Sequence, residues 1–289
     1  MRSPLVGALC GLVALSVATS CSSAPPPPVR RAPVLTLGAV SLGDSASRQA
    51  QLSPLVRHLE RRLGGPVEAT VASSYRELSR ALAERRWDLV LTGPVVYSRA
   101  HEMGYQAVAV NSRGGAQTHR GIVVARADRG FTSIADLKGR KLAFVDPHSA
   151  SGFEYPFAFL WAQGLRPSDY QREFAGGHEK VLQAVLAGTV DAGAAYAGAI
   201  TDLLPPERAK ELTVLGLTDP VPGEVFAVRA DLANLPLLRD TLLELDREKD
   251  PEAARILEAL TAHRLVAPAD GLFDGARAID LLVTEGAGL

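Results

Sequence analysis

An α/β architecture is predicted by three observations. Short β-rich runs alternate with stretches whose apolar residues recur at helical spacing. The alternation fills one block from about residue 34 to 110 and resumes in a second block from about residue 121. The length of 289 residues corresponds to roughly two domains at about 150 residues each.

The first block opens with a β-rich run at residues 34–40. Residues 47–63 read as a helix, because Leu52, Leu55, Val56, Leu59 and Leu63 fall on one face. A strand at 67–71 precedes an amphipathic helix at 75–85 that carries Leu78, Ala81 and Leu82. Residues 88–91 form a buried-type strand broken by Gly93-Pro94. A helix from about Val95 to Gly104 leads to a strand at 107–110. This order argues for a largely parallel sheet.

In the second block, residues 121–125 are a strand and 134–139 a turn or short helix. Residues 141–145 are a strand and 153–163 a helix. Strand, helix and strand follow at 171–175, 179–186 and 190–194. Further strands fall at 214–217 and 225–228. The chain is helical from about Leu232, with cap-like Asp231 and Asp270 and with Pro251 at a helix start. No fixed-period repeat is present, which excludes a solenoid or propeller.

Composition narrows the function classes. Lys plus Arg is 31 and Asp plus Glu is 32, for a net charge of -1. Nucleic-acid binding would need a basic excess or patch. The two cysteines, Cys10 and Cys21, both lie near the N-terminus, so the body has neither a disulfide framework nor a cysteine-based metal site. The six histidines are scattered without metal-ligand spacing. No cofactor and no metal is expected.

Residues 1–20 read as a secretory signal: Arg2 precedes an apolar stretch from Leu5 to Ala18 that is too short to span a bilayer. The small residues Ala18-Thr19-Ser20 before Cys21 resemble a bacterial lipobox, which makes Cys21 the lipidation site. Residues 21–32, with Pro25 to Pro28, read as an extended tether holding the body on the order of 35 Å from the membrane. The expected location is extracytoplasmic, membrane-anchored and facing the periplasm or cell exterior.

The chemistry concentrates in loops that follow strands. A hydroxyl-rich turn, Asp146-Pro147-His148-Ser149-Ala150-Ser151-Gly152, joins a strand to a helix. It places hydroxyls and free backbone N–H groups at a helix N-terminus, an arrangement that binds anions. The same pattern also suits simple capping by Ser149 or Ser151. Gly176-Gly177-His178 makes a second strand-to-helix junction. Thr92-Gly93-Pro94-Val95-Val96-Tyr97 makes a third. Trp87 and Trp161 suit core or cleft-wall packing.

Four pieces in order resemble the phosphonate and phosphate-type substrate-binding proteins of ABC importers. They are Asp136-Leu137-Lys138-Gly139, then Val145-Asp146-Pro147 with Ser149-Ala150-Ser151-Gly152, then Gly176-Gly177-His178, then Gly188-Thr189-Val190-Asp191-Ala192-Gly193. The resemblance runs from about residue 34 to at least 230. It implies the type 2 periplasmic-binding, transferrin-like fold: two α/β lobes around a ligand cleft, joined by two crossover strands near Arg120–Arg126 and Glu224–Arg229. Lobe one is then 33–119 plus 224–289, and lobe two is 120–223.

The resemblance also assigns roles. The oxyanion-binding turn falls on Ser149, Ala150 and Ser151, the family's Gly-Gly-His on His178, and its two cleft tyrosines on Tyr75 and Tyr97. Ala150 stands where the family has a hydroxyl residue. Acidic positions that hold an amine in some members fall on Gly198 and Glu224, and the glycine points away from an aminoalkylphosphonate. The implied function is capture of a phosphonate, phosphate or phosphite-type oxyanion for an ABC permease, by a monomer.

Two other classes are compatible with the sequence. The same module could report ligand occupancy to a membrane sensor kinase. A serine hydrolase could be assembled from Ser149 or Ser151, His178 and Asp191, although no Gly-x-Ser-x-Gly elbow is present.

Overall fold

The structure, a computed structural model, describes residues 34–41 and 45–288 and leaves the side chain of Tyr75 undescribed. The signal, tether and Cys21 expectations lie outside these residues. The described residues form one compact unit.

Chain order in the first lobe is β1 (Leu35–Val40), α1 (Ser45–Leu63), β2 (Val67–Ala72), α2 (Tyr75–Ala83), β3 (Leu89–Thr92), α3 (Pro94–Glu102) and β4 (Tyr105–Ser112). β5 (Thr118–Arg126) then enters the second lobe. It is followed by β6 (Lys141–Phe144), α4 (Tyr155–Ala162), β7 (Gln171–Phe174), α5 (His178–Ala187), β8 (Ala192–Tyr196), α6 (Ala199–Leu203), α7 (Pro206–Ala209) and β9 (Leu212–Pro222). β10 (Val225–Arg229) returns to the first lobe, with α8 (Leu235–Leu243), α9 (Pro251–Ala259) and β11 (Arg264–Val266). α10 (Asp274–Gly286) ends the chain.

The two sheets run β11-β4-β10-β3-β1-β2 and β7-β6-β8-β5-β9. Both are mixed, which corrects the expectation of a largely parallel sheet. β1 pairs parallel with β2 and β3, but β10 and β11 pair antiparallel. In the second sheet β6 is parallel to β7 and β8, and β5 is antiparallel to β8 and β9. The reversal arises because β5 and β10 reach their sheets by direct crossing from the other lobe, with no helix to turn them.

Local signals account for the elements. Leu52, Leu55 and Leu59 of α1 are fully buried against Leu37, Leu89, Leu91 and Phe226. Ser74 caps α2 by accepting a hydrogen bond from the Glu77 N–H at 3.2 Å. Asp250 caps α9 ahead of Pro251, accepting from the Glu252 N–H at 2.9 Å. Asp231 and Asp270 cap no helix; Asn234 and Phe273 occupy those positions instead. Trp87 is a core residue, and its ring lies so close to β1 that a Cβ on Gly38 would sit 1.9 Å from it.

Two segments join the lobes, at residues 113–117 and 223–224, just short of the crossovers expected at 120–126 and 224–229. They run side by side: the Asn111 N–H donates to the Glu224 carbonyl at 2.8 Å, and the Gly223 N–H to the Gln117 carbonyl at 3.0 Å.

The C-terminal helix, expected in lobe one, packs along α3 of that lobe and also reaches the second. Ile279, Leu282, Val283 and Ala287 pack into the second-lobe cluster with Phe157 and Leu160. Arg99 of α3 donates to both Asp280 oxygens from Nε, at 2.9 and 2.8 Å. α10 thereby contacts both lobes.

Candidate functional site

A cleft of about 700 Å³ lies between the lobes. Lobe one contributes Arg48, Thr92, Gly93, Pro94, Asn111 and Glu224. Lobe two contributes His119, His148, Ser149, Ala150, Ser151, Gly177, His178 and Tyr196, and the joining segment adds Arg113. The floor on the lobe-two side is set by topology. β6, β7 and β8 are parallel neighbours, so the turns leaving β6 and β7 emerge at the same sheet edge, where ligands bind in open α/β sheets.

The turn after β6 is built around Ser149. Its Oγ accepts from the Gly152 N–H at 3.1 Å, and its carbonyl accepts from the Phe153 and Glu154 N–H groups at 2.8 and 3.0 Å. Residues 150–154 consequently form a wide π-helical turn leading into α4. Helix starts leave their first N–H groups without intrahelical acceptors, and here these belong to Ala150 and Ser151. Capping and ligand binding are therefore compatible at Ser149, since its hydroxyl proton stays free to donate. Ala150 lacks a hydroxyl but keeps its N–H in place.

The turn after β7 presents a second helix start. Gly176 adopts φ +79°, and Gly177 offers no capping side chain to α5. The first intrahelical bond is Val181 N–H to the Gly177 carbonyl. The N–H groups of His178, Glu179 and Lys180 are thus uncapped, at the positive end of a ten-residue helix.

His178 completes the donor set. Its Nδ1 accepts from the Tyr196 N–H at 3.3 Å, which puts the ring proton on Nε2. Its ring stands edge-on to Tyr196, with centroids 4.9 Å apart. Burial first, then His119 and Arg113, hold its pKa down at about 4. It is therefore a neutral N–H donor at physiological pH. His119 is held at about 4 by burial and Arg113.

Ser149, Ala150, Ser151, His178 and Glu224 are brought together in this cleft. Tyr97 is not. It is 7 % exposed and faces the lobe-one core, where its hydroxyl accepts from the Ala107 N–H at 3.1 Å. With His101 and Phe273 it borders a separate cavity of about 710 Å³. Tyr75 is the first residue of α2, and its side chain lies outside the described residues. Glu224 is not a free acid: Arg48 Nη2 donates to it at 2.9 Å. Gly198 does not line the cleft.

Arg48 and Asn111 line the cleft without a sequence signal that singles them out, whereas Thr92 opens the third strand-to-helix junction. Thr92 Oγ1, Asn111 Oδ1 and Arg48 Nε are buried without a partner, which leaves bonding capacity for a ligand or water. A Gly114-Gly115 pair beside Arg113 is the one visible cue. The triad alternative has no geometry. Asp191 accepts from the Lys141 N–H at 3.0 Å and pairs with Arg129, outside the cleft. Among the described residues no acidic, histidine or cysteine group could hold a metal, and no helix is long and apolar enough to cross a membrane.

Beneath the Ser149 turn lies Glu154, 3 % exposed. Burial, then Asp280 and Asp146, push its carboxyl up to about 8, with Arg99 opposing. A raised folded-state pKa means that Glu154's stabilising contribution is full below about 4.5 and lost as pH rises through about 8. His119, His148 and His178, all held at about 4, act oppositely: their contribution is full above 6.5 and lost as pH falls toward 4. Glu154→Gln is therefore expected to raise the melting temperature more at pH 9 than at pH 5, by on the order of 5 °C. Melting curves that stay parallel across that range would contradict the burial argument.

Comparison with known proteins gives a consistent pattern. The family profile described as "ABC transporter, phosphonate, periplasmic substrate-binding protein" matches residues 37–272. The chain is 29 % identical over 231 residues to the phosphate-import protein PhnD of Mycolicibacterium smegmatis, covering 73 % of this chain and 72 % of that one. It is 26 % identical over 240 residues to the phosphonates-binding periplasmic protein of Escherichia coli, covering 78 % and 70 %. Among solved structures, PhnD1 from Prochlorococcus marinus in complex with methylphosphonate superposes with a TM-score of 0.73 at 20 % identity, covering 87 % of this chain and 98 % of that one.

Proposed function

The chain belongs to the periplasmic substrate-binding proteins of phosphonate ABC transporters, and from that membership we propose that it captures a small phosphoryl oxyanion between its lobes for delivery to the permease. Phosphate, phosphite and alkylphosphonates are the ligands proposed. The protein is a binding protein, not an enzyme.

The observation that carries the ligand class is the convergence of uncharged donors. Two helix starts, the Ser149 and Ser151 hydroxyls and the His178 Nε2–H all face one cleft. A phosphoryl group leaving water needs several directed donors. Supplying them as neutral groups avoids burying a matching cation. The two curated relatives are named for phosphate import and for phosphonate binding, which supports the same class.

Lobe one adds Thr92 and Asn111 across the cleft. A ligand held from both sides favours the closed arrangement, and the permease then distinguishes loaded from empty protein. Closure has its hinge where the two joining segments run together, and the close approach there needs glycine: a Cβ on Gly223 would sit 2.4 Å from the Asn111 carbonyl. We further propose that the protein acts as a monomer held to the membrane by a lipid on Cys21. Cys21→Ser should then move it from the membrane to the soluble fraction.

A thermal-shift panel tests the ligand class. Phosphate, phosphite, methylphosphonate and ethylphosphonate are each compared with sulfate. A ligand at 100 times its dissociation constant adds about 2.7 kcal/mol of stability. At least one phosphoryl oxyanion is expected to raise the melting temperature above the sulfate control. A flat response to all four would refute the proposed ligand class.

A further inference from the structure

Two cations line the cleft without an ion pair among the described residues, Arg113 and Lys180, and of these Arg113 is held in contact with both lobes. Arg113 begins a four-residue turn inserted where β4 crosses to β5. Arg113 and Ala116 exchange backbone hydrogen bonds of 3.1 and 3.0 Å, and Gly114 and Gly115 take φ +57° and +84°. Both central residues being left-handed makes this the tight turn that favours Gly-Gly. The turn fixes Arg113 at the cleft mouth, exposed to solvent.

Arg113 touches both lobes. Its Nε donates to the Thr261 carbonyl at 3.1 Å in lobe one. Its guanidinium lies over the Tyr196 ring of lobe two, 5.5 Å from the centroid. His178 stands on the same ring, at 4.9 Å. The guanidinium is thus one aromatic ring removed from the oxyanion donors, close enough to help hold His178 and His119 uncharged.

No carboxylate of the described residues forms an ion pair with Arg113. Asp202 accepts the Tyr196 hydroxyl at 3.2 Å, and Glu179 accepts from Gln183 at 2.9 Å. Glu224, the acid that would have to receive a ligand amine, is already neutralised by Arg48. The cleft therefore offers positive charge without an ion-pair partner, at Arg113 and at the exposed Lys180, and no uncommitted acid at Glu224.

We propose that Arg113 forms a second subsite that takes an anionic substituent of the ligand, so that the cleft prefers phosphonates bearing a carboxylate over those bearing an alkyl or amino group. This rests on the proposed phosphoryl site. The phosphoryl group occupies the Ser149–Ser151 and His178 donors, and the carboxylate reaches the guanidinium past Tyr196. The planar fork of Arg suits a carboxylate.

Calorimetric titration at neutral pH tests it with phosphonoacetate, 3-phosphonopropionate, ethylphosphonate and 2-aminoethylphosphonate. The better of the two carboxylates is expected to bind at least about tenfold tighter than ethylphosphonate. 2-Aminoethylphosphonate is expected to be the weakest. Arg113→Gln should bring the carboxylate-to-ethyl ratio to about one, and Arg113→Lys should keep part of it. A wild-type ratio of about one, with ethylphosphonate still bound, would overturn the subsite and leave the phosphoryl site standing. So would a ratio that Arg113→Gln leaves unchanged, or tightest binding by the amine. No binding by any of the four would overturn both. The wild-type panel decides the matter even if the variants fail to fold.

Discussion

Replacing His178 with alanine is expected to weaken phosphoryl-oxyanion binding by about 30- to 150-fold, equivalent to about 2–3 kcal/mol for one hydrogen bond to a charged group. The size follows from its fixed tautomer. Tyr196 N–H occupies Nδ1, so Nε2–H has no competing role and faces the cleft. His178→Gln keeps an N–H donor and should lose less. Because the imidazole is held at about 4, wild-type affinity should be flat from about pH 6 to 8 as far as this group is concerned. Titration calorimetry of the two variants across that range checks both statements. Unchanged affinity in His178→Ala would remove His178 from the site.

Gly152→Val is expected to abolish measurable binding, a loss of more than about 100-fold, and to lower stability by about 1–3 kcal/mol. A Cβ at this position would stand 2.3 Å from Val145 Cγ2, 2.6 Å from Val145 Cβ and 2.7 Å from Ser149 Oγ. The side chain would thus strike the residue that enters the turn and the hydroxyl that caps it. The Ala150 and Ser151 N–H groups could not keep their direction while the turn moved aside. Ligand titration with a thermal melt separates the two effects. Wild-type affinity in a folded Gly152→Val protein would show that the turn does not hold the ligand.

Both predictions concern pieces that the sequence displayed. A hydroxyl-rich turn and a Gly-Gly-His, each between a β run and an amphipathic run, signal two helix starts. Parallel pairing then brings them to one sheet edge. The tautomer of His178 was not legible, because it depends on the Tyr196 N–H, 18 residues away, and neither was its neutral state, which depends on burial, His119 and Arg113. Tyr97 shows the opposite failure. An aromatic one turn into a helix after a strand can face the cleft or the core, and only the Ala107 N–H on β4 decides that it faces the core.

The remaining differences have similar causes. β11 is three residues long, too short for an alternating pattern to register. The apolar stripe of α10 reads as amphipathic from sequence, but its packing against both lobes is set by the fold. Arg113 was hidden because its position is set by a turn inside a crossover, where no periodicity operates. Glu224 looked like a free acid until the fold brought Arg48 of α1 against it.

The most direct test is calorimetric titration of the wild-type protein with methylphosphonate and with phosphate. Neutral donors from two helix starts and His178 predict one site per chain for at least one of them, with a dissociation constant of about 10 μM or tighter. Absence of binding by either oxyanion at millimolar concentration would contradict the assignment of the cleft to phosphoryl ligands.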